Sequence, residues 1–284
     1  MYNVIVYHKI CPREKCSCGF NNMIGKDITD MITFEAKIRE QTVRLYASVP
    51  LKNGAGAIFR VLADVSRKTN IFNNRFTLNF GWGFFFLTER TEENGEKFWV
   101  VQTIDFNGNP ARDRTDDLTT ALVVQNMQME AVQVAKVKPV NCTCKDTVLV
   151  LKAAIESNDV YMHRKEETKD GDSGWYFGLM DDPDEENHVL SDFEAMPSYK
   201  LIAICPEAMR VLQLPVGTVA VFSNKQLTAL VDADDNAMKF TSEEERRRLG
   251  EKQRKEFEAE VAAAQERAKA EQAAKAAAES ESAE

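Results

Sequence analysis

Long apolar runs are missing from this 284-residue sequence, and none reaches the roughly 18 residues that a membrane-spanning helix needs. The opening residues, MYNVIVYHKICPREKCSCGF, have neither a basic start nor a long apolar segment, so we expect no secretory signal. Cysteine is also scarce, because six cysteines are too few for a disulfide scaffold in a chain of this length. We therefore expect a cytoplasmic protein with reduced thiols.

Signatures of catalysis are missing too. The three histidines are scattered, and no Ser or Cys nucleophile stands in a recognisable elbow or paired motif. Walker-type and dinucleotide glycine patterns do not occur. A triad of Asp172, Ser173 and His163 can be imagined, but nothing in the spacing of these residues requires it. We expect a non-catalytic binding protein that uses no cofactor.

Negative charge is present in excess and is concentrated in one region. The chain has a net charge of -9, and residues 151–240 alone carry 17 Asp and Glu against 8 Lys and Arg, which is also -9. Residues 1–150 and 241–284 carry +3 and -3, which cancel. An acidic domain repels nucleic acid and attracts basic partners, although acidity can also serve solubility alone.

Apolar patterning predicts an α+β fold of two small mixed domains with antiparallel strands, followed by an exposed C-terminal helix. We place an N-terminal α+β domain of unknown role at residues 1–145 and an acidic domain at 146–240. Residues 241–284 form a charged tail rich in Ala, Glu, Lys and Arg, which are strong helix formers. Its apolar side is too thin for a coiled coil, and we expect disorder after about Ala278.

The clearest local signal in the first domain is a β-hairpin. Aromatic and β-branched residues fill Arg75–Thr88 and Lys97–Phe106, and the polar stretch between them ends in Asn-Gly. A helix with one buried face is predicted from Asn53, as its cap, to Asn70. Asp117–Val137 is ambiguous, and we favour a helix followed by a strand.

The second domain reads as short strands separated by turns. Thr147–Ala154 and Asp159–His163 indicate either two strands or a helix and a strand, and another strand follows from Trp175. Leu201–Cys205 (LIAIC) is predicted to be a short buried strand. Pro206 then suits the first position of a helix, since its missing N–H would be unpaired there in any case.

The segment Asp170-Gly-Asp-Ser-Gly-Trp175 carries the most information. Two glycines allow backbone angles that other residues resist, and Asp and Ser side chains can fix a turn through backbone N–H groups. Trp175 is then the natural anchor of a small core. On chemistry alone, this is a structural turn.

The same segment belongs to a longer ordered pattern. Val160-Tyr-Met-His-Arg164, Asp172-Ser-Gly-Trp175 and the later residues Tyr199, Pro206 and Gly217 follow one another over about 80 residues. This pattern resembles the thirty-third family of bacterial polymorphic-toxin immunity proteins, first catalogued as a domain of unknown function. The chain departs from the family pattern at Tyr176, where a basic residue is usual, and at His163.

The resemblance implies a small α+β domain that binds and neutralises a protein toxin or a similar partner, and it does not extend to residues 1–145. Beyond the motif, five carboxylates within six positions form an acidic loop that can dock on a basic surface, or can simply be a solvated loop. We expect a protein partner rather than nucleic acid or a membrane. The predicted partner-binding residues are Asp172, Ser173, Gly174, Trp175, Asp181, Asp182, Asp184, Glu185 and Glu186.

Two Cys-x-Cys pairs leave an alternative open. Cys16-Ser-Cys18 and Cys142-Thr-Cys144 flank the first domain, and four thiolates, with Cys11 or His8 as substitutes, can hold zinc tetrahedrally. The chain would then be a metal-organised structural or adaptor protein. A one-residue gap is a poor zinc knuckle, so reduced surface or loop cysteines are the simpler interpretation and we assign no metal site.

Overall fold

The computed structural model describes residues 5–7, 31–48, 51–167 and 169–242, with scattered helical residues between 244 and 266. The chain divides into two compact units, Met1–Ser242 and Glu243–Glu284. In the described part of the first unit, two mixed, mostly antiparallel sheets are accompanied by helices. The predicted α+β class is therefore confirmed.

The first sheet consists of hairpins joined by one parallel pairing. Its described strands are β1 (Ile5–Tyr7), β2 (Met31–Ile38), β3 (Gln41–Ser48), β4 (Thr77–Phe80), β5 (Gly83–Thr91), β6 (Lys97–Ile104) and β7 (Arg114–Thr115). They lie in the order β1-β2-β3-β6-β5-β4, with β7 beside β6. β3 and β6 run parallel, and the other neighbours are antiparallel. Alternate residues of β2 and β3 are buried, as expected for a sheet with one face on the core.

The predicted hairpin is confirmed between β5 and β6, whose strands pair from Phe85↔Thr103 to Thr91↔Lys97 around the Asn-Gly turn. The expectation of one strand over Arg75–Thr88 is wrong, because the chain reverses between β4 and β5. Gly81 makes that reversal with φ of +58°, a left-handed conformation that glycine adopts easily. Trp82, the other turn residue, is fully buried.

Two longer helices accompany the first sheet. Helix α1 (Lys52–Ser66) buries Ala55, Ile58, Phe59 and Leu62, which confirms its predicted apolar face. Its predicted cap at Asn53 is wrong, because the helix begins one residue earlier, after the buried Leu51 and without a side-chain cap.

Helix α2 (Thr119–Ala135) replaces the helix and strand expected over Asp117–Val137. The valines of this segment suggested a strand, but they continue the faces of one helix that buries Val124 and Val132. The helix ends at Lys136, which has a left-handed φ of +57°.

The second sheet contains the strands of the acidic region. They are β8 (Thr147–Leu151), β9 (Val160–Arg164), β10 (Asp172–Leu179), β11 (Phe193–Pro197), β12 (Val219–Ser223) and β13 (Gln226–Val231). Their order is β11-β8-β10-β9-β12-β13, and β8 and β10 form its parallel pair. The strands predicted near Thr147, Asp159 and Trp175 are confirmed, whereas β11 and β13 were not predicted.

The two faces of the second sheet differ in burial. One face is packed into the hydrophobic core through Val148, Val150, Met162, Trp175, Phe177, Ala220 and Phe222. The alternate residues are exposed or partly exposed and include Leu149, Tyr161, His163, Tyr176, Val219 and Val221. We call this second set the open face.

The predicted strand at Leu201–Cys205 is wrong, because Leu201–Ile204 is the short helix α3, between the 3-10 turns Ser198–Lys200 and Pro206–Arg210. A brief apolar run does not distinguish a buried strand from a buried helix. Leu201 and Ile202 are buried in this helix, and Pro206 begins the next turn, as predicted.

Residues on both sides of the expected boundary at 145/146 contribute to one core. Trp82 and Val124 belong to the same buried cluster as Trp175 and Phe222. The Trp82 indole N–H donates a hydrogen bond to the Ser198 hydroxyl at 3.2 Å. The division at 145/146 stays a prediction.

In the second unit, residues 244–249 are helical, and Arg248 pairs with Glu244 at 2.7 Å. The expected disorder after Ala278 lies outside the described residues. Among the residues that are described, no helix has both the length and the apolar character needed to cross a membrane.

Candidate protein-binding site

The predicted motif Asp172–Trp175 opens strand β10 and turns partly into the core. Ser173 is fully buried, and its hydroxyl donates to the Thr147 carbonyl at 2.6 Å while accepting from the Trp175 backbone N–H at 3.2 Å. Trp175 is 1% exposed. Ser173 and Trp175 are therefore core residues that position strand β10. Only the residues around them are accessible to a partner.

Gly174 makes the turn at the start of β10 possible. It has φ of +72°, and its N–H donates to the Asp172 carboxylate at 3.0 Å. A Cβ at this position would lie 2.1 Å from the Lys165 carbonyl oxygen, closer than atoms can approach. Glycine is required here by both its backbone angle and the neighbouring chain. The interpretation of this segment as a glycine-dependent turn is confirmed.

Arg164 and Trp175 hold the same stretch of backbone. The Trp175 indole N–H donates to the Leu212 carbonyl at 3.0 Å, and Arg164 Nη1 donates to the carbonyls of Leu212 at 3.0 Å and Leu214 at 2.8 Å. Arg164 is fully buried, and desolvation lowers its pKa from the ordinary value. Arg164 and Trp175, which both belong to the sequence pattern, are therefore joined through the same backbone segment.

The acidic loop, Asp181–Asn187, follows β10 directly and is held by His188. The His188 Nε2 atom lies 2.7 Å from Asp182 Oδ2, and its Nδ1 atom lies 3.6 Å from Asp192 Oδ2. Asp182 Oδ1 accepts a hydrogen bond from the Asp184 backbone N–H at 3.0 Å. Asp182 is thus an internal tether of the loop, and we call its contact with His188 the latch.

The latch shifts the pKa of both partners. The hydrogen bond that the His188 ring donates to the Asp182 carboxylate raises the pKa of His188 and lowers the pKa of Asp182. Each shift favours the charged form of the group. Protonated His188 therefore neutralises one carboxylate of a crowded loop.

The other four carboxylates of the loop are exposed and take part in none of the ion pairs of the described residues. Asp181, Asp184, Glu185 and Glu186 are exposed. Within the described part of the chain, the ion pairs involve none of these four. Their mutual repulsion is relieved by solvent or by a positively charged surface.

Aromatic rings continue from the latch across the open face. The ring centres of His188 and Phe193 are 5.7 Å apart, those of Phe193 and Tyr176 are 6.1 Å apart, and those of Tyr176 and Tyr161 are 5.7 Å apart. We call these four residues the aromatic row. Its members come from three separate segments, and no sequence pattern indicated their proximity.

The imagined triad does not form. Ser173 points into the core and donates to Thr147, whereas His163 lies on the open face of the same sheet. Residues Tyr176 and His163 face each other in the β10–β9 register. Ser173 and His163 are therefore separated by the sheet itself.

Cys142 and Cys144 lie in a loop, as expected, but the expectation of surface cysteines is wrong for both, because they are fully buried free thiols. Burial raises the pKa of Cys144 to about 12 and raises that of Cys142 further, so both are neutral core side chains in the absence of a metal. The other cysteines of the zinc hypothesis, Cys11, Cys16 and Cys18, and His8 lie outside the described residues. Among the residues described, no three His, Cys, Asp or Glu side chains cluster to hold a metal ion.

A cleft of about 460 Å³ is lined in part by Phe106 and Tyr199. Its lining is mainly apolar, and it includes the ion pair of Lys200 with Glu194 at 3.3 Å. It lacks the convergent polar groups that fix a small ligand.

One family model matches the acidic region and the residues that lead into it. Residues 127–233 match the Imm33-like domain. This match confirms the resemblance seen in the sequence. The matched region begins inside helix α2 and includes the whole second sheet, the acidic loop and the aromatic row. The family model does not cover residues 1–126. No curated protein and no solved structure matches this chain.

Proposed function

We propose that this protein is an immunity-type protein that binds and neutralises a protein toxin, or a similar basic partner, without catalysing a reaction. One observation carries the proposal: the Imm33-like domain presents an ordered loop with four carboxylates that have no cationic partner in the described structure. The mutual repulsion of these carboxylates destabilises the loop, and a basic partner would remove that repulsion.

Electrostatics supports the choice of partner. Residues 151–240 carry 17 acidic against 8 basic side chains. A field of one sign steers oppositely charged proteins into encounter and raises the association rate. The same field repels nucleic acid.

In this proposal, the protein acts stoichiometrically, by binding its toxin and not by catalytic turnover. The protein works in the cytoplasm, and it masks a functional surface of the toxin instead of modifying it. The buried core of β10 and the latch keep the loop preformed, which reduces the entropy lost on binding.

Co-expression with the toxin encoded beside the gene for this chain tests the function. We expect the chain to restore growth of the producing cells and to co-purify with the toxin. Replacing Glu185 and Glu186 with Gln should slow association about tenfold at low salt, because two rim charges are lost near the contact.

The matched control replaces Asp234 and Asp235 with Asn. These residues are also exposed and lie in the same acidic region, residues 151–240, and their replacement removes the same two charges. The proposal is wrong if the toxin neither binds nor is neutralised, and the role of the loop is wrong if both double variants associate equally fast.

A further inference from the structure

We propose that the partner docks on the open face of the second sheet beside the acidic loop, and that it offers a basic segment with apolar side chains. This inference rests on the proposed function and adds the contact surface and the chemistry of the segment that binds there.

The aromatic row gives this surface a rigid apolar centre. A Cβ at Gly178 would lie 2.6 Å from Cε1 and 2.8 Å from Oη of Tyr176, which shows that the Tyr176 ring lies across the glycine. Tyr161 contacts this ring edge-on from the neighbouring strand. Burial raises the pKa of Tyr176 to about 12, so the phenol is neutral at physiological pH. Rigid aromatic side chains lose little entropy on binding and are frequent interface anchors.

Exposed aliphatic side chains lie beside this centre in the sheet and close to the latch in the sequence. Leu149 is 44% exposed and is the register partner of Tyr176 in the β8–β10 pair. Beyond the latch, Val189 is 59% exposed and Leu190 is 93% exposed. A leucine almost entirely in water next to four carboxylates is costly to keep exposed and gains from being covered.

The charges beside this apolar centre define the partner. The carboxylates of Asp182 and Glu185 act on both Tyr161 and Tyr176 and contribute to raising their pKa values. Tyrosine faces attract cations, and nearby carboxylates strengthen that attraction. The protein's own Lys165 lies 5.8 Å from the Tyr176 ring centre, which demonstrates the preference within the chain. Lysine or arginine side chains beside aliphatic or aromatic ones therefore match both parts of the surface.

A random peptide library displayed on phage tests this surface without the natural partner. The full chain is the target, and enriched peptides are synthesised and their Kd values measured by fluorescence polarisation. We expect enriched peptides to combine Lys or Arg with aliphatic or aromatic residues. Leu149→Lys and Leu190→Lys should each weaken their binding about tenfold, because each adds a like charge and removes apolar contact.

Met129→Lys is the matched control. Met129 is 48% exposed, and it lies on helix α2, which precedes the strands of the second sheet in the sequence. It should change the Kd by less than about twofold. Thermal unfolding of all three variants establishes that they are folded.

Three results overturn the inference: no enrichment over a blank surface, enrichment of peptides without basic residues, or equal weakening by Met129→Lys. These outcomes are distinct from failure of the proposed function. If the chain restores growth but fails the peptide test, the toxin docks on another surface. If the chain passes the peptide test but does not bind the toxin, only the proposed neutralisation is refuted.

Discussion

Gly174 and Trp175 show how single residues shape the proposed binding surface from beneath it. The indole of Trp175 is buried against Leu212, and Gly174 lets the chain pass within contact distance of Lys165. Neither the indole nor the glycine needs to touch a partner. Their effect is to fix the start of β10, whose other end leads into the acidic loop.

Replacing Gly174 with Ala should strongly destabilise the protein. The alanine would be forced to a φ of +72°, and its Cβ would collide with the Lys165 carbonyl oxygen, so we expect a loss of about 3 kcal/mol or more in the free energy of unfolding. Urea denaturation measures the loss.

Gly171→Ala provides the control for that variant. Gly171 has φ of +80°, but no atom lies within 4 Å of an added Cβ. Only the backbone strain applies there, about 1–2 kcal/mol. Equal losses for the two variants would show that the close approach of Lys165 is unimportant.

At the scale of elements, the latch joins the acidic loop to the segment that leads into β11. His188 contacts Asp182 on the loop and lies near Asp192, which in turn accepts a hydrogen bond from the Val189 backbone N–H at 2.9 Å. The ring of His188 also packs edge-on against Phe193. Protonation of His188 therefore affects both the acidic loop and the aromatic row, because the His188 ring contacts each of them.

The stability that His188 contributes should depend on pH. Its folded pKa is raised above 6.5, so its contribution is complete below the unfolded pKa and is lost as pH rises through the folded value. The pKa of Asp182 is lowered below 3.8, so its contribution is present above the unfolded pKa and is lost as pH falls through the folded value.

Urea denaturation of the natural protein and of His188→Gln, at several pH values, measures this dependence. The stability difference between them should be largest at about pH 5, between the two unfolded values, and smaller at about pH 9. A difference that does not change between these pH values would mean that the ion pair contributes nothing and that His188 acts only by packing.

Local sequence patterns predicted those elements whose signals are local. The β5–β6 hairpin followed from strand composition around Asn-Gly, and the acidic loop was visible as a run of carboxylates. Leu201–Ile204 was mistaken for a strand because a short apolar run fits either kind of buried element. The position of Ser173 inside the core was also hidden, since it depends on Thr147 of a strand 26 residues away.

The aromatic row could not be predicted for a related reason. Tyr161, Tyr176 and Phe193 meet only because β9, β10, β8 and β11 are neighbours in the second sheet. That order includes a parallel pairing, which sequence alternation does not specify. The latch depends on the same arrangement of the loop after β10.

At the scale of the whole molecule, the net negative charge lies in residues 151–240, most of which match the Imm33-like domain, and residues 1–126 lie outside that match. The described structure nevertheless joins both regions in one core, through Trp82, Ser198 and their neighbours. The first sheet can thus support the second without taking part in binding, and the open face remains the surface where charge and exposed apolar groups coincide.

Hydrogen–deuterium exchange of the full chain, with and without the toxin used in the growth assay, tests this account most directly. We expect toxin to slow exchange in peptides covering the acidic loop, the latch and the strands that carry Tyr161 and Tyr176, while residues 31–115 of the first sheet exchange as in the free protein. Protection confined to the first sheet, in a complex that still neutralises the toxin, would contradict it.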